Sequence, residues 1–251
     1  MSKPMLLADF VRLPPAVRGY MVEGLAAAID IVAERGAPSH RFLRFGWYAA
    51  ALAAYGGAAR TLVVEEDDTP VVTLPFIGCG LRLFRIAEVP GYHWPFRSFG
   101  LALGAGDAAL RSALATLAGA VNGLCIGPAH ADDPAVIALI AIARAQGWGV
   151  LDRPSGRATT IPTRPDDRAF WQAAVTDPVL ARMIRTAHPA TDAATVEIDT
   201  GEDVYVIGRD AAVPAPRSDK YAPTRKWLLL RPGLPAFTGR LFGWVWQHRT
   251  R

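Results

Sequence analysis

At 251 residues, with 51% hydrophobic and 20% charged side chains, the chain has the composition of a globular protein and not of a disordered one. Its net charge of +4 is uneven: from Arg217 onward there are eight Lys/Arg and one acid, which leaves about −3 for everything before. No window approaches the roughly 18 uninterrupted apolar residues of a membrane span. The apolar patch at 6–10 contains Asp9 and is too short for a secretory signal. Cys79 and Cys125 lack metal-ligand spacing and are too few for a disulfide framework. The expectation is a cytoplasmic protein with no bound metal.

In chain order, residues 17–35 read as an amphipathic helix stopped by Gly36 and Pro38. Residues 41–55 form a second helix rich in aromatics (Phe42, Phe45, Trp47, Tyr48) and closed by Gly56-Gly57. Two strands, 60–66 and 71–77, flank the turn Asp67-Asp68-Thr69-Pro70. A further strand, 81–89, leads into an aromatic loop. Residues 107–118 are helical with Asp107 as N-cap, and 123–127 form a buried strand. Asp133-Pro134 opens a helix that ends at Gly147, the Asp capping and the Pro at the first helical position.

Residues 150–152 and 158–162 read as two more strands, and 166–187 as a helix that Pro178 interrupts. A hairpin, 195–199 with 204–207, turns at Gly201-Glu202-Asp203. Residues 211–218 form a linker, 226–230 a last strand and 237–248 a last helix. The alternation predicts an α/β or α+β mixed sheet.

The densest chemistry lies in Gly91-Tyr92-His93-Trp94-Pro95-Phe96-Arg97-Ser98. Rings beside a fixed guanidinium can hold a planar or anionic group by stacking and bidentate hydrogen bonding. The same residues can equally plug the end of a sheet, with Arg97 bonded to free carbonyls. His93 is the first candidate for a general base, and His130 beside Asp132 and Asp133 the second. The acidic run Glu65 to Asp68 reads as a solvated hairpin tip.

An ordered set of short features runs from Phe42 to Trp171: the aromatic helix ending in Gly56-Gly57, Leu74-Pro75-Phe76, the 92–98 loop, Gly127-Pro128 before Asp132-Asp133-Pro134, and Gly147-Trp148. In that order they resemble the N-terminal lobe of the CelD-type acetyltransferases. This family belongs to the GNAT superfamily, is related to FemAB-like proteins, and occurs with bacterial exopolysaccharide and cellulose synthesis genes. Asp219, Tyr221 and Lys226, followed by a basic aromatic tail, resemble the family's closing stretch.

The resemblance implies a GNAT-like N-terminal lobe over 1–165 and a C-terminal part over 166–251. With 80 residues after Trp171, the second lobe is expected to be shortened. It further implies acetyl-CoA or another acyl-CoA as substrate and a small-molecule or saccharide acceptor. His93, Arg97 and Tyr92 would then be catalytic, and Trp94, Tyr221 and Lys226 would contact substrate. The alternative is a non-catalytic, degenerate GNAT-like scaffold attached to a synthase complex or the inner membrane surface.

Arg144-Ala145-Gln146-Gly147-Trp148-Gly149 matches the Gln/Arg-x-x-Gly-x-Gly/Ala pattern by which GNAT enzymes hold the CoA pyrophosphate. Its context is reversed. A phosphate loop needs a strand before and a helix after, whereas here a helix precedes and a strand follows, so Gly147 reads as a helix C′ glycine. Helix starts at 104–107 and 127–133 carry Asp at the cap, which repels phosphate.

The tail alternates Trp227, Phe237, Phe242, Trp244 and Trp246 with Arg231, Arg240, Arg249 and Arg251. It suits either packing on its own domain or a peripheral contact of 220–251 with anionic lipid, and no specific nucleic acid. A homodimer that supplies a missing wall of the site is a further expectation.

Overall fold

The computed structural model describes residues 15–91, 97–162, 196–199, 204–208 and 222–235. The ten strands among them join one mixed sheet, in the order β1-β2-β3-β4-β6-β10-β7-β9-β8, with β5 paired to β3. They are β1 (Val17–Glu23), β2 (Ala59–Glu66), β3 (Thr69–Cys79), β4 (Ile86–Glu88), β5 (Gly100–Leu101), β6 (Gly123–His130), β7 (Gly149–Pro162), β8 (Val196–Asp199), β9 (Val204–Gly208) and β10 (Ala222–Leu230). Four α-helices accompany them: α1 (Ala28–Arg35), α2 (Phe45–Tyr55), α3 (Asp107–Ala120) and α4 (Pro134–Ala145). The fold is α+β with a mostly antiparallel sheet; β4 with β6 and β7 with β9 are the parallel pairs.

Leu62, Val63 and Val64 are consecutive and all buried, as are the first seven residues of β6. Successive side chains on a strand point to opposite faces, so this part of the sheet is covered on both. One core cluster unites Ile29 of α1, Trp47 and Tyr48 of α2, Leu114 and Leu117 of α3, and Leu139 of α4 with the sheet.

The start of the chain departs from the sequence reading. Residues 17–23 form a strand, paired from Val17↔Glu66 to Glu23↔Arg60, and the helix begins only at Ala28. Val17, Tyr20 and Val22 suit a strand, and pairing with β2 decides the matter. A Cβ on Gly19 would stand 2.4 Å from Thr116 Oγ1 and 2.8 Å from Ser112 Oγ, so its absence lets α3 lie against β1.

Other boundaries differ too: the helix expected at 41–55 starts at Phe45, the strand expected at 123–127 runs to His130, and the one expected at 226–230 starts at Ala222. The expected strand at 81–89 is a 3-10 turn, Arg82–Phe84, then the short β4, because Arg85 adopts a left-handed φ of 49° between them. The two short strands expected at 150–162 are one, since a register shift between Thr224 and Arg225 carries β10 past Pro154 and Gly156 without ending the pairing. Gly106, not Asp107, is the N-cap of α3.

Several local readings hold. Asp67 and Asp68 both take positive φ, 47° and 58°, as a two-residue hairpin turn requires. Asp133 caps α4 with Pro134 at its first turn. Gly147 follows α4 at φ 76°, so the Arg144–Gly149 pattern sits on a helix end as its context indicated. β8 and β9 form the expected hairpin. The expected boundary at 165, the 166–187 helix, the 211–218 linker and the 237–248 helix lie outside the described residues. β10 completes the sheet by pairing with β6 on one side and β7 on the other.

Candidate functional site

The parallel strands β4 and β6 flank helix α3 in sequence, and in open sheets ligands bind beyond the carboxyl ends of such strands. Here the pairing covers only Ile86↔Gly123 to Glu88↔Cys125, although β6 runs on to His130. One more bond, Val89 N–H to the Cys125 carbonyl (3.1 Å), extends the contact. The chain then leaves for the aromatic loop and returns at Arg97, whose N–H donates to the Pro128 carbonyl (2.8 Å) and whose carbonyl accepts from Gly127 N–H (2.9 Å).

Gly127 is needed at this crossing. Its φ is 99°, the Gly127–Pro128 bond is cis, and a Cβ would stand 2.5 Å from the Arg225 carbonyl of β10. The β6–β10 ladder is irregular at the same level, between Arg225 and Trp227.

Arg97 is buried at 5% exposure. Its Nε and Nη2 donate to the Val89 carbonyl at 2.8 and 2.5 Å, and Nη2 lies 2.9 Å from Glu88 Oε2. The guanidinium thus ties the return of the loop to its departure. This geometry has the form of the plug, with charge neutralised by Glu88 and donors spent on a carbonyl the sheet leaves open. Tyr92, His93, Trp94 and Tyr221 lie outside the described residues. Lys226, half-buried on β10 opposite Arg153, has its Cα 3.1 Å from where a Gly127 Cβ would be. The backbones of Arg97 and Lys226 therefore meet on Gly127.

Next to Arg97 lies a buried polar cluster that sequence reasoning did not assemble. His40 Nε2 and Asp133 Oδ2 are 2.9 Å apart, and both residues are 5% exposed. Asp133 Oδ1 meanwhile accepts the Val136 N–H at 2.9 Å as the α4 cap. Burial pushes the Asp133 carboxyl up, but the hydrogen bond and electrostatic attraction of His40, the Val136 N–H and a smaller influence of Ser98 outweigh it, so its pKa lies below the ordinary value. The Ser98 Oγ has no partner at direct hydrogen-bonding distance, so its share acts over a longer range. With Asp133 ionised, the His40 Nε2 carries the proton and donates.

Tyr48, fully buried in α2, donates its hydroxyl to the Ser98 carbonyl at 2.9 Å. Desolvation, and then the charge of Asp133, raise its pKa, so the phenol stays neutral. The cluster therefore joins α2, the 38–40 turn, the end of the aromatic loop and the start of α4. A carboxylate–imidazole pair with a neutral phenol nearby can take up and pass on a proton. Here it is sealed beneath Ser98. The 93-residue separation of His40 from Asp133 explains why no local pattern revealed it.

Both neighbouring helix starts are already occupied by carboxylates of the chain. Glu66 Oε1 accepts the Gly106 N–H at 3.2 Å at α3, and Asp133 fills α4. Among the described residues no group of three or more His, Cys, Asp or Glu side chains is placed to hold a metal ion, and Cys79 and Cys125 are not joined in a disulfide. Compared with known proteins, the chain matches no family model, no curated protein and no solved structure.

Proposed function

We propose that this chain is a GNAT-like, acyl-CoA-dependent N- or O-acyltransferase of bacterial envelope polysaccharide assembly, working in the cytoplasm or at the inner face of the membrane. One observation carries the reading. The parallel β4–β6 pair closes over three residue pairs and then parts, and Arg97, His130 and the His40–Asp133 pair gather at its carboxyl ends, where the chain enters and leaves the aromatic loop. An acceptor amine or hydroxyl would attack the thioester carbonyl, the carbon–sulfur bond would break, and the acceptor's proton would leave through a base to the departing thiolate. His93 is the base this reading favours, with Tyr92 orienting the thioester, Arg97, expected from the sequence to act on substrate, instead fixing the base of the loop that carries them, and Trp94, Tyr221 and Lys226 contacting substrate. No described helix is long and apolar enough to cross a membrane, which accords with this setting.

The second reading, a non-catalytic scaffold, is favoured by the occupied helix starts. A pyrophosphate would have to displace Glu66 or Asp133 from the N–H groups that usually bind it. Isothermal titration of the full chain with acetyl-CoA and a longer acyl-CoA separates the two. The acyltransferase reading expects a Kd of about 1–100 μM, weakened at least about tenfold in His93→Ala. Absence of heat and of thermal shift at about 1 mM ligand would overturn it in favour of the scaffold.

A further inference from the structure

At the opposite end of the β4–β6 pair the chain exposes two leucines in a single loop. Leu81 is 69% and Leu83 is 83% exposed, far more than the other large apolar side chains of the described core-bearing region except Leu103. Gly78 and Gly80 beside them have no neighbouring atoms within 4 Å of a would-be Cβ, so nothing shields the loop from that side. Arg82 and Arg85 alternate with the leucines and are exposed. Single exposed leucines are ordinary, but a pair on a projecting turn flanked by arginines is a concentrated apolar and basic tip.

The loop is held and aimed. Asn122, in the turn between α3 and β6, donates its side-chain amide to the Phe84 carbonyl (3.1 Å) and its N–H to the Arg85 carbonyl (2.8 Å). Arg85 donates to the Gly119 and Ala120 carbonyls at the end of α3, at 2.5 and 3.2 Å. Asn122 also receives Arg231, whose Nε donates to its Oδ1 (2.7 Å) and whose N–H donates to its carbonyl (3.0 Å). Phe84 and Leu234 pack against the same small cluster of Cys125, Leu228 and Leu230. The exit of β10 is thus fastened beside the leucine tip.

Charge decides what such a tip meets. At this end of the sheet stand Arg82, Arg85, Arg231 and, at the end of α4, Arg144; of the acids on the same side, Glu23 is paired with Arg60 at 3.0 Å and Asp30, in the first turn of α1, accepts the Phe45 N–H at 2.7 Å. The next segment of the chain, 236–251, holds Arg240, Arg249 and Arg251 with no acid. A segment of that charge cannot neutralise the arginines of the tip, so like charge disfavours it as the cover. A second copy of the tip is disfavoured for the same reason. A surface that is apolar within and anionic at its face satisfies both the leucines and the arginines.

We propose that the 78–85 loop, together with the basic exit at Arg231, docks this protein on an anionic lipid surface. Leu81 and Leu83 enter the headgroup–acyl boundary, and Arg82 with its neighbours contacts lipid phosphates. This assignment stands apart from the proposed acyltransfer chemistry, which concerns the other end of the same strand pair.

The test is co-sedimentation of the full chain with phosphatidylcholine vesicles and with vesicles containing about 30% phosphatidylglycerol. Binding is expected to the anionic vesicles, to be much weaker to the neutral ones, and to fall in about 0.5 M salt. Leu81→Ser/Leu83→Ser is expected to unfold at the parent's temperature, since both side chains are exposed, and to lose at least about tenfold in vesicle affinity. Arg82→Glu should weaken binding to anionic vesicles alone. Equal binding by the leucine variant and the parent would overturn the proposal, as would failure of the parent to bind or to distinguish the two vesicle types. A concentration-dependent dimer on gel filtration that the leucine variant abolishes would overturn it in favour of self-association.

Discussion

Replacing Asp133 probes the buried cluster directly, because its two oxygens do separate things. In Asp133→Ala, α4 loses its cap bond to Val136 N–H, which typically costs about 1 kcal/mol. The same change leaves His40 Nε2 buried at 5% exposure with its acceptor gone, a desolvation cost of about 1–3 kcal/mol. The expected total is about 2–4 kcal/mol. Asp133→Asn should cost less, since asparagine caps as well as aspartate; its amide NH2 then faces His40 Nε2, and that bond survives only with the imidazole in the tautomer whose Nε2 is unprotonated. Urea denaturation of the full chain, followed by circular dichroism at pH 7, measures both. A double-mutant cycle with His40→Ala should give a coupling energy of about 1–3 kcal/mol between the two side chains. If both Asp133 variants lie within about 0.5 kcal/mol of the parent, or the coupling vanishes, the pair does not bear on the stability of this junction and the reasoning fails.

Acid should expose the same pair. The Asp133 pKa lies below the ordinary 3.8, so its contribution is present above that value and is lost as pH falls through the folded pKa. The gap in urea midpoint between parent and Asp133→Asn should therefore begin to narrow only as pH falls to about 4 and go on narrowing below it; a gap that stays constant would contradict the assignment. At the loop base, Arg97→Lys should cost about 1–3 kcal/mol, because one ammonium cannot reproduce paired donation to the Val89 carbonyl together with contact to Glu88. Hydrogen exchange should quicken at the Gly127 and Val89 amides, and unchanged protection there would show that the guanidinium is not the clasp.

The parts of the fold legible in sequence are those whose cause is local. Asp67-Asp68 and Asp133-Pro134 are turn and cap chemistry within a few residues, and Gly147 announces a helix end by its own backbone freedom. Residues 17–23 carry an apolar spacing compatible with either helix or strand, and what settles it is a distant partner strand, paired from Val17↔Glu66 to Glu23↔Arg60. The α3 start shifts by one residue for a similar reason: the acceptor at its first free N–H is Glu66, from across the sheet. Arg97 stood out by its neighbours, yet its true partners, Val89 and Glu88, carry no signal of that role. His40 lay beyond reach altogether, since its side chain bonds to a residue at the start of a helix it does not adjoin in sequence.

The placement of β10 between β6 and β7 bears on how this protein is made. During synthesis β6 and β7 are available early, but the strand that joins them is Ala222–Leu230. At about 5–20 residues per second, the ribosome takes roughly 3–12 s to travel from Pro162 to Ala222. Throughout that interval the facing edges of β6 and β7 stay unsatisfied, and β6 is buried along its first seven residues in the finished fold. The chaperone demand of the protein is therefore concentrated in one window of translation. Slow codons within 163–221 would lengthen that window and raise aggregation.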